Sequence, residues 1–280
     1  MAGKLILCPT PIGNLEDMSF RMVRALSHTD LIAAEDTRNT LKLLNAFSIK
    51  KIPLTSYHEH NKKEKGPYLL DKLREGLTIT LVTDAGTPGI SDPGSDLARQ
   101  AMEEGIKVVS IPGPCACITA LTISGLPTKR FAFDGFLPRA KKPRKEMMES
   151  YKMEQRTIIL YEAPHRLIST LQELHEALGD RLISICKELT KYHETVFSFT
   201  LSTAIEYFEE NPPKGEYVVL LKGISDEELA SEMKKRWDAI SLMEHLGIYQ
   251  SQGMTKKDAM KQVAKDRGLS KRDIYEALLE

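Results

Sequence analysis

The sequence contains few cysteines, and none of them stands in a metal-binding or redox pattern. Four occur among the 280 residues, and only Cys115 and Cys117 lie close together, as a C-x-C pair. Zinc knuckles and redox C-x-x-C motifs have other spacings, and the chain is too long for a small disulfide scaffold. We therefore expect no metal site, two small buried thiols at a helix start, and a reducing, cytoplasmic location.

Long hydrophobic runs are also absent. The first apolar run, residues 5–8, is too short to be the core of a signal peptide. No run approaches the roughly 20 residues that a membrane-spanning helix needs. The sequence therefore predicts no contact with a membrane.

An excess of charge of one sign is absent as well. Lysine and arginine number 39, and aspartate and glutamate number 39, so the formal net charge is zero. No overall field draws in a polyanion, and any contact with nucleic acid must come from local basic patches. The chain is long enough for one large or two medium globular domains.

The order of apolar segments predicts two α/β domains followed by a small helical module. In the first domain we expect strands at 4–8, 31–34, 77–82 and 106–111, with helices at 18–26 and 96–104. Short apolar strands that alternate with helices are typical of an open, mostly parallel sheet.

The pattern of apolar and polar residues changes near Pro127 and again after Gly223. Between these two residues we expect a second α/β unit. After Gly223 we expect only helices, with a break at Gly253. The predicted domains are 1–127, 128–224 and 225–280. Within the second unit the predicted strands are 157–161, 182–186, 196–199 and 216–222, with a helix at 164–178.

Five turns rich in glycine and proline follow predicted strands. They read PTPIGN, TDAGTPGISDPG, PGPCACITAL, DGFLPRA and YEAPHR. A single turn of this kind is explained by its position at the end of a strand and does not indicate a ligand site. Several at the same end of one sheet predict a ligand site there, because glycine admits close approach and proline fixes the loop.

The long turn, residues 83–94, restricts the type of ligand. The chain has neither the G-x-G-x-x-G fingerprint after its first strand nor the P-loop pattern. The turn has no lysine to neutralise phosphates, but it carries the acids Asp84 and Asp92. A cationic or zwitterionic ligand fits better than a pyrophosphate, and S-adenosylmethionine carries a sulfonium cation.

The ordered motifs PTPIGNL, AAEDTR, TDAGTPGISDPG, PGPCACITAL, GFLP, YEAPHRL and KELTK resemble the tetrapyrrole-methylase superfamily. More narrowly, they resemble the ribosomal RNA small subunit methyltransferase I family, and the resemblance covers roughly the whole chain. It implies that S-adenosylmethionine binds in the cleft between the two α/β domains. It also implies 2′-O-methylation of a decoding-centre cytidine in the 16S ribosomal RNA of the 30S subunit, and a homodimer.

The resemblance also implies which residues bind the cofactor. In relatives that make tetrapyrroles an acid follows the turn glycine, but here Thr87 stands there, so the ribose contact falls to backbone groups or to Asp92. The implied cofactor-binding residues are Pro11, Asp84, Gly86, Thr87, Ile90, Ser91, Asp92, Cys115, Ala116, Tyr161, Leu189 and Val219.

Methyl transfer to a ribose hydroxyl is an in-line displacement, so alignment supplies much of the rate and a base or a cation assists. Each candidate also has a structural interpretation: Asp36 or Thr37 caps a helix, the histidines lie in a solvated loop, and Lys187 pairs with Glu188. The catalytic candidates are Glu35, Asp36 and Arg38, then His58, Glu59, His60 and Asn61, then Lys187 and Glu188.

The segment RAKKPRK carries five basic residues within seven. It is either a solvated surface or a loop at the mouth of the cleft that contacts phosphates independently of sequence. The candidate RNA-binding residues in it are Arg139, Lys141, Lys142, Arg144 and Lys145.

The C-terminal segment, residues 255–280, reads as two short helices separated by GLS, with Lys271 and Arg272 on the outside. It resembles half of a helix-turn-helix, or it is a packing appendage. Simple tetrapyrrole methylases generally lack such a tail, which favours a macromolecular substrate. The residues expected to face inward are Ala259, Val263, Ala264, Ile274, Leu278 and Leu279.

Two alternatives stay open at this point. One keeps the fold and makes the substrate a tetrapyrrole, which the basic segment and the tail argue against. The other is a nucleic-acid-binding regulator with a degenerate cofactor cleft, which the intact ordered turns argue against.

Overall fold

The structure is a computed structural model that describes residues 3–50, 52–270, 272 and 274. Its first half is a five-stranded sheet with helices on both faces. The strands are β1 (Lys4–Leu7), β2 (Leu31–Ala34), β3 (Leu54–Ser56), β4 (Thr78–Val82) and β5 (Lys107–Ser110). The helices are α1 (Phe20–Ser27), α2 (Thr37–Ala46), α3 (Lys62–Arg74), α4 (Gly94–Glu103) and α5 (Ala116–Ile123), with a short 3₁₀ helix at Leu15–Asp17.

The first sheet is wholly parallel, with the strand order β3-β2-β4-β1-β5. The predicted open parallel sheet is therefore confirmed. Strand β3 escaped prediction because it has three residues, too few to show a period. Helix α3 escaped it because Pro67 and Gly66 interrupt its apolar pattern.

The second half is a mixed five-stranded sheet, in the order β6-β7-β10-β8-β9. Only β6 and β7 run parallel; the other neighbours are antiparallel. The strands are β6 (Phe131–Phe136), β7 (Thr157–Glu162), β8 (Leu182–Lys187), β9 (Thr195–Thr200) and β10 (Tyr217–Leu221). The helices are α6 (Lys141–Ser150), α7 (Pro164–Leu178) and α8 (Leu201–Glu210), with a short 3₁₀ helix at Tyr151–Met153.

The five turns divide between the two sheets. Three of them follow β1, β4 and β5 of the first sheet, and YEAPHR begins with the last two residues of β7 of the second. The DG of DGFLPRA lies inside β6, where the pairing register shifts between Phe133 and Gly135. Sequence shows that a turn follows a strand, but strand pairing decides which sheet the strand joins.

Helix α5 joins the two halves. Cys117, Ala120 and Leu121 of this helix pack in one buried cluster with Leu189 and Val218 of the second half. The predicted boundary at residue 127 falls after α5, in the segment before β6. The helix therefore belongs to the first half by sequence and to the core of the second by packing.

The last part of the described chain is helical, as predicted. Three helices follow β10, and Leu246 of α10, Ala259, Val263 and Ala264 of α11 and the later Ile274 form a separate buried cluster. Lys271, Leu278 and Leu279 lie outside the described residues. Across the described ranges, no helix has both the length and the apolar composition that crossing a membrane requires. The helices are α9 (Asp226–Asp238), α10 (Leu242–Ser251) and α11 (Lys256–Arg267).

Candidate active site

A cleft of about 470 Å³ lies between the two halves of the molecule. Its volume lies in the range of small-molecule sites. Both sheets contribute to its walls, and so do several turns that the sequence singled out. Ten of the predicted cofactor residues line it: Asp84, Gly86, Thr87, Ile90, Ser91, Asp92, Cys115, Ala116, Tyr161 and Leu189.

The carboxylate of Asp92 organises the long turn from within. It accepts hydrogen bonds from the backbone N–H groups of Gly89, Ile90 and Gly94, at 2.7 to 3.1 Å. These bonds hold the backbone of the turn in one shape. Asp92 therefore positions the turn, and both of its carboxylate oxygens accept hydrogen bonds there.

Gly86 and Thr87 fix the turn to its neighbours. Gly86 has a φ of 86°, which glycine adopts easily, and it forms a β-bridge with Thr10. The Thr87 hydroxyl donates a hydrogen bond of 2.7 Å to the carbonyl of Pro114. Hydrogen bonds within the protein thus engage both the Asp92 carboxylate and the Thr87 hydroxyl.

One wall of the cleft is acidic. Glu35 and Asp84 line it, and the Glu35 carboxylate accepts a hydrogen bond from the backbone N–H of Asp84 at 3.2 Å. Burial raises the pKa of Glu35, and the charges of Asp84 and Asp92 act in the same direction; the Asp84 N–H and nearby His58 oppose them. This wall suits a cation better than a phosphate, as predicted from the sequence.

The facing wall is apolar and comes from the second half. The ring of Tyr161 packs edge-on against Phe136, with centroids 5.7 Å apart, and both rings line the cleft. Val218 lines it as well, whereas the side chain of the predicted Val219 points to the other face of the sheet, where it is fully buried. Neighbouring residues on a strand face opposite sides.

Pro11 is the second predicted cofactor residue outside this cleft. It lines an adjoining depression between the first turn and α2, together with Asn39 and Lys42. Thr83 and Asp84 border both spaces. The turn that contains Pro11 still contributes Ile12 to the cleft itself.

Two glycines bring the halves of the molecule into close contact beside the cleft. A Cβ on Gly13 would lie 2.5 Å from the Cγ of Lys191 and 2.8 Å from the Oγ1 of Thr190. A Cβ on Gly135 would lie 3.0 Å from the Oγ of Ser91. The motifs PTPIGN and KELTK therefore meet face to face, as do the long turn and β6.

Asp36 and Arg38 do not reach the cleft walls. Asp36 caps α2 by accepting from the backbone N–H of Arg38 at 2.8 Å, and it also forms an ion pair of 2.6 Å with the Arg38 guanidinium. The Arg38 guanidinium and, after it, the Arg38 backbone N–H lower the pKa of Asp36 to about 2. Asp36 therefore caps helix α2, as its structural interpretation predicted.

The histidine segment lies behind Glu35. His58 is half-buried, and its Nδ1 is buried without a hydrogen-bond partner among the described residues. His60 and Glu59 are exposed, and Asn61 accepts from the backbone N–H of His58 at 2.9 Å. None of these four lines the cleft.

Lys187 ends β8 and Glu188 follows it, but the two side chains form no ion pair with each other. Glu188 forms an ion pair of 2.9 Å with Lys191 and accepts from the backbone N–H of Glu216 at 2.9 Å. Burial raises the pKa of Glu188, but the bond to Lys191 and the Glu216 N–H outweigh it, so the pKa is lowered. Glu188 therefore fixes the turn that presents Leu189 to the cleft.

The basic segment is helical from Lys141 on, where α6 begins, and Arg139 precedes the helix. Four of its cations are exposed, but Arg144 is buried: its Nη2 donates to Thr170 at 2.9 Å and its Nε lies 2.7 Å from a Glu173 oxygen. The expectation that Arg144 contacts phosphates is therefore wrong. A helical turn points one of every few residues inward. The exposed four are Arg139, Lys141, Lys142 and Lys145.

The cysteine pair lies at the start of α5, as expected. The two sulfurs are 3.4 Å apart, and the bond from Cys117 lowers the pKa of Cys115. Within the described ranges no group of three or more His, Cys, Asp or Glu side chains is placed to hold a metal ion.

Sequence reasoning missed several residues of the cleft. Phe136 ends β6 and Glu162 ends β7, and both line the cleft. They lie in the motifs GFLP and YEAPHR, but the sequence did not predict them as site residues. The Glu162 carboxylate is buried and accepts from the Thr170 hydroxyl at 2.6 Å. Both faces of β10 are buried, so its sequence does not show that Val218 and not Val219 faces the cleft.

Comparison with known proteins agrees with this architecture. Residues 4–205 match the family model described as Tetrapyrrole (Corrin/Porphyrin) Methylases, so the chain belongs to the tetrapyrrole methylase family. The solved structure of a diphthine synthase superposes with a TM-score of 0.62 at 14% identity, covering 79% of this chain and 90% of that one. At this identity the likeness concerns the fold alone.

Within that family the relatives are more specific. The ribosomal RNA small subunit methyltransferase I of Halalkalibacterium halodurans is 50% identical over 98% of this chain and 93% of its own length. The one of Thermotoga maritima is 47% identical over 221 residues, which cover 79% of this chain and 99% of the relative. The chain therefore belongs to the ribosomal RNA small subunit methyltransferase I family.

The protein is thus a methyltransferase that depends on S-adenosylmethionine. The residues of the cleft fit this cofactor: an acidic wall with Glu35 and Asp84 faces an apolar wall with Tyr161 and Leu189. The first suits a sulfonium and an amino group; the second suits an adenine ring.

Proposed function

We propose that the protein methylates the 2′-hydroxyl of a decoding-centre cytidine in the 16S ribosomal RNA of the small subunit. One observation carries the proposal: a cofactor cleft with an acidic wall opens next to a helix start that exposes four cations. Basic residues at a helix N-terminus oppose the helix dipole, so they do not serve the stability of α6. They suit the phosphates of an RNA chain.

The basic residues are close to the cleft in the chain. Phe136 lines the cleft, and Arg139 follows three residues later. Three extended residues span at most about 11 Å. Arg139 thus lies within reach of RNA whose target nucleotide enters the cleft.

We propose Glu35 as the residue that takes the proton from the ribose hydroxyl. Among the predicted catalytic residues, it is the one that lines the cleft. Its raised pKa makes it a stronger base than an ordinary glutamate, and its half-buried position limits solvation of the carboxylate. S-adenosylmethionine, when bound, supplies the methyl group on a positively charged sulfur.

Other residues of the cleft hold the reacting groups in line and exclude water from them. Asp92 fixes the long turn, Thr87 fixes that turn to the neighbouring loop, and the rings of Tyr161 and Phe136 keep the facing wall apolar. Holding the reacting groups in line supplies much of the rate of a displacement reaction.

The test uses the methyl group as a label. The protein is incubated with S-adenosylmethionine labelled in its methyl group and with 30S subunits, naked 16S ribosomal RNA or uroporphyrinogen. We expect label in RNA, at a cytidine whose 3′-phosphodiester becomes resistant to alkaline hydrolysis. Label in the tetrapyrrole alone would contradict the proposal, and RNA binding without transfer would favour the regulator.

Three further proposals accompany this function. The resemblance to the family supports a homodimer, which sedimentation at two ionic strengths tests. A ribosomal RNA substrate supports a cytoplasmic location. We also propose the division into 1–127, 128–224 and 225–280, because the strands of the two sheets do not mix and helices α10 and α11 have a core of their own.

A further inference from the structure

The three helices α9 to α11 form a unit that the α/β fold does not require. The buried cluster of α10 and α11 includes no residue of either sheet, and Trp237 of α9 stacks on His245 of α10 with ring centroids 3.8 Å apart. The two α/β units run from Lys4 to Leu221. The Thermotoga maritima relative matches over 221 residues with 99% of its own length, so a family member exists at about the length of these two units. The helical unit therefore has a role other than completing the α/β fold.

This helical unit is anchored far from the cleft. The backbone N–H of Ile224 donates to the carbonyl of Glu154 at 2.9 Å, and the Gln155 amide donates to Asp226 at 2.6 Å. Both anchors precede β7, whereas Glu162, which ends β7, lines the cleft. The length of β7 separates the two places by about 17 Å.

Helix α11 of this unit exposes a stripe of three lysines: Lys257, Lys261 and Lys265 are exposed and stand four residues apart. On a helix this spacing places them along one face, about 6 Å from each other. Ala259 and Val263 of the same helix are fully buried on another face. We call these three lysines the α11 stripe.

The acids of α11 do not cancel this charge. Asp266 faces the interior, where it accepts from the Tyr249 hydroxyl at 2.6 Å and from Gln262 at 2.8 Å. Thr255 caps the start of α11, and the Asp258 carboxylate accepts from the Thr255 hydroxyl at 2.7 Å. The contact of Asp258 with Lys261, at 3.3 Å, is exposed and weak. The stripe therefore stays cationic in a chain of zero net charge.

We propose that the α11 stripe binds the phosphate backbone of structured RNA at a distance from the nucleotide that is methylated. The proposal rests on the proposed function, since it concerns the same substrate. Two cationic surfaces then hold the RNA, the start of α6 at the cleft and the α11 stripe on the helical unit, whose first residues are anchored beside the start of β7. A long RNA can contact both surfaces at once, which favours an intact ribosomal RNA over a short fragment.

The test reverses the charge of the stripe in the full-length protein. The variant Lys257→Glu/Lys261→Glu/Lys265→Glu is compared with Lys50→Glu/Lys107→Glu/Lys129→Glu, which changes three exposed lysines elsewhere by the same charge. We expect KM for 30S subunits or 16S ribosomal RNA to rise at least ~10-fold in the stripe variant alone, and to depend less steeply on salt. The kcat and the affinity for S-adenosylmethionine stay unchanged.

Other outcomes contradict the proposal. An equal KM in the two variants removes the stripe from the interface. Weaker binding to 30S subunits with unchanged binding to naked 16S ribosomal RNA assigns the stripe to a ribosomal protein instead. The thermal midpoint of each variant shows that it is folded, and the corresponding Lys→Gln variant replaces the stripe variant if that one is not.

The two proposals can fail separately. If the wild-type protein transfers no methyl group to any RNA, the proposed function is wrong. Filter binding of 16S ribosomal RNA by the stripe and control variants then still decides whether the stripe binds RNA, because that measurement needs no turnover.

Discussion

The Asp92 carboxylate accepts a hydrogen bond of 2.7 Å from the backbone N–H of Gly94, two residues further along the same turn. A Cβ on Gly94 would lie 2.7 Å from that carboxylate oxygen. The two residues therefore depend on each other: the acid fixes the turn, and the glycine leaves room for the acid.

We expect Asp92→Asn to loosen the long turn. The asparagine side chain keeps one oxygen as an acceptor, but an NH₂ group replaces the other oxygen. Backbone N–H groups of the turn that donated to that oxygen then have no acceptor. The loss is about 1–3 kcal/mol of unfolding free energy and a weaker affinity for S-adenosylmethionine. Denaturant unfolding and calorimetric titration measure both. Asp238→Asn, at an exposed position on α9, serves as the control and should change neither; equal stability of both variants would contradict the positioning role.

Substitution of Gly86 by valine should abolish cofactor binding. The residue has a φ of 86° and lines the cleft, and a Cβ would already touch Ile12 at 3.4 Å. Valine adds strain at this φ and fills space in the cleft. Gly105 has a φ of 71° and open space around it, so Gly105→Val has the strain without the obstruction. Retained binding in Gly86→Val would remove the turn from the site.

The pH dependence of the rate should follow Glu35. Burial raises the pKa of this carboxyl, so the protonated form persists to a higher pH than in an ordinary glutamate. Because the base must be ionised, kcat/KM rises as the pH rises through that pKa. In Glu35→Gln we expect kcat to fall by roughly 10²–10⁴-fold and the rise with pH to disappear.

The stability of this variant gives an independent check on Glu35. A carboxyl with a raised pKa favours folding at low pH, and this contribution is lost as the pH rises through the raised pKa. Glu35→Gln should therefore gain unfolding free energy relative to the wild type at neutral pH and not at low pH. An unchanged difference between the two proteins across this range would contradict the raised pKa.

Two neighbours in α6 should respond differently to the same substitution. Arg144 is buried against Thr170 and Glu173, whereas Lys145 is exposed. We expect Arg144→Met to cost about 1–3 kcal/mol of unfolding free energy and Lys145→Met to stay within about 0.5 kcal/mol of the wild type. Thermal unfolding measures both. For Lys145→Met, KM for ribosomal RNA should rise instead; the reverse pattern would return Arg144 to the RNA-binding set.

The sequence alone predicted the class of fold, the cofactor and ten of the residues that line the cleft. It could do so because the long turn at 83–94 is local: its glycines, prolines and acids set the shape and charge of a loop without distant contacts. The order of strands and helices predicted a parallel first sheet for the same reason, since periodicity and length are properties of one segment.

Only the tertiary structure decided which side chains share the cleft. Val218 and Val219 differ by one position on β10, and the packing of the sheet determines that the first faces the cleft and the second the core. The direction of Arg144 depends on Glu173 of another helix, and Asp92 is engaged by a turn whose folded shape the sequence does not state. These outcomes depend on contacts between distant segments, which no single stretch of sequence contains.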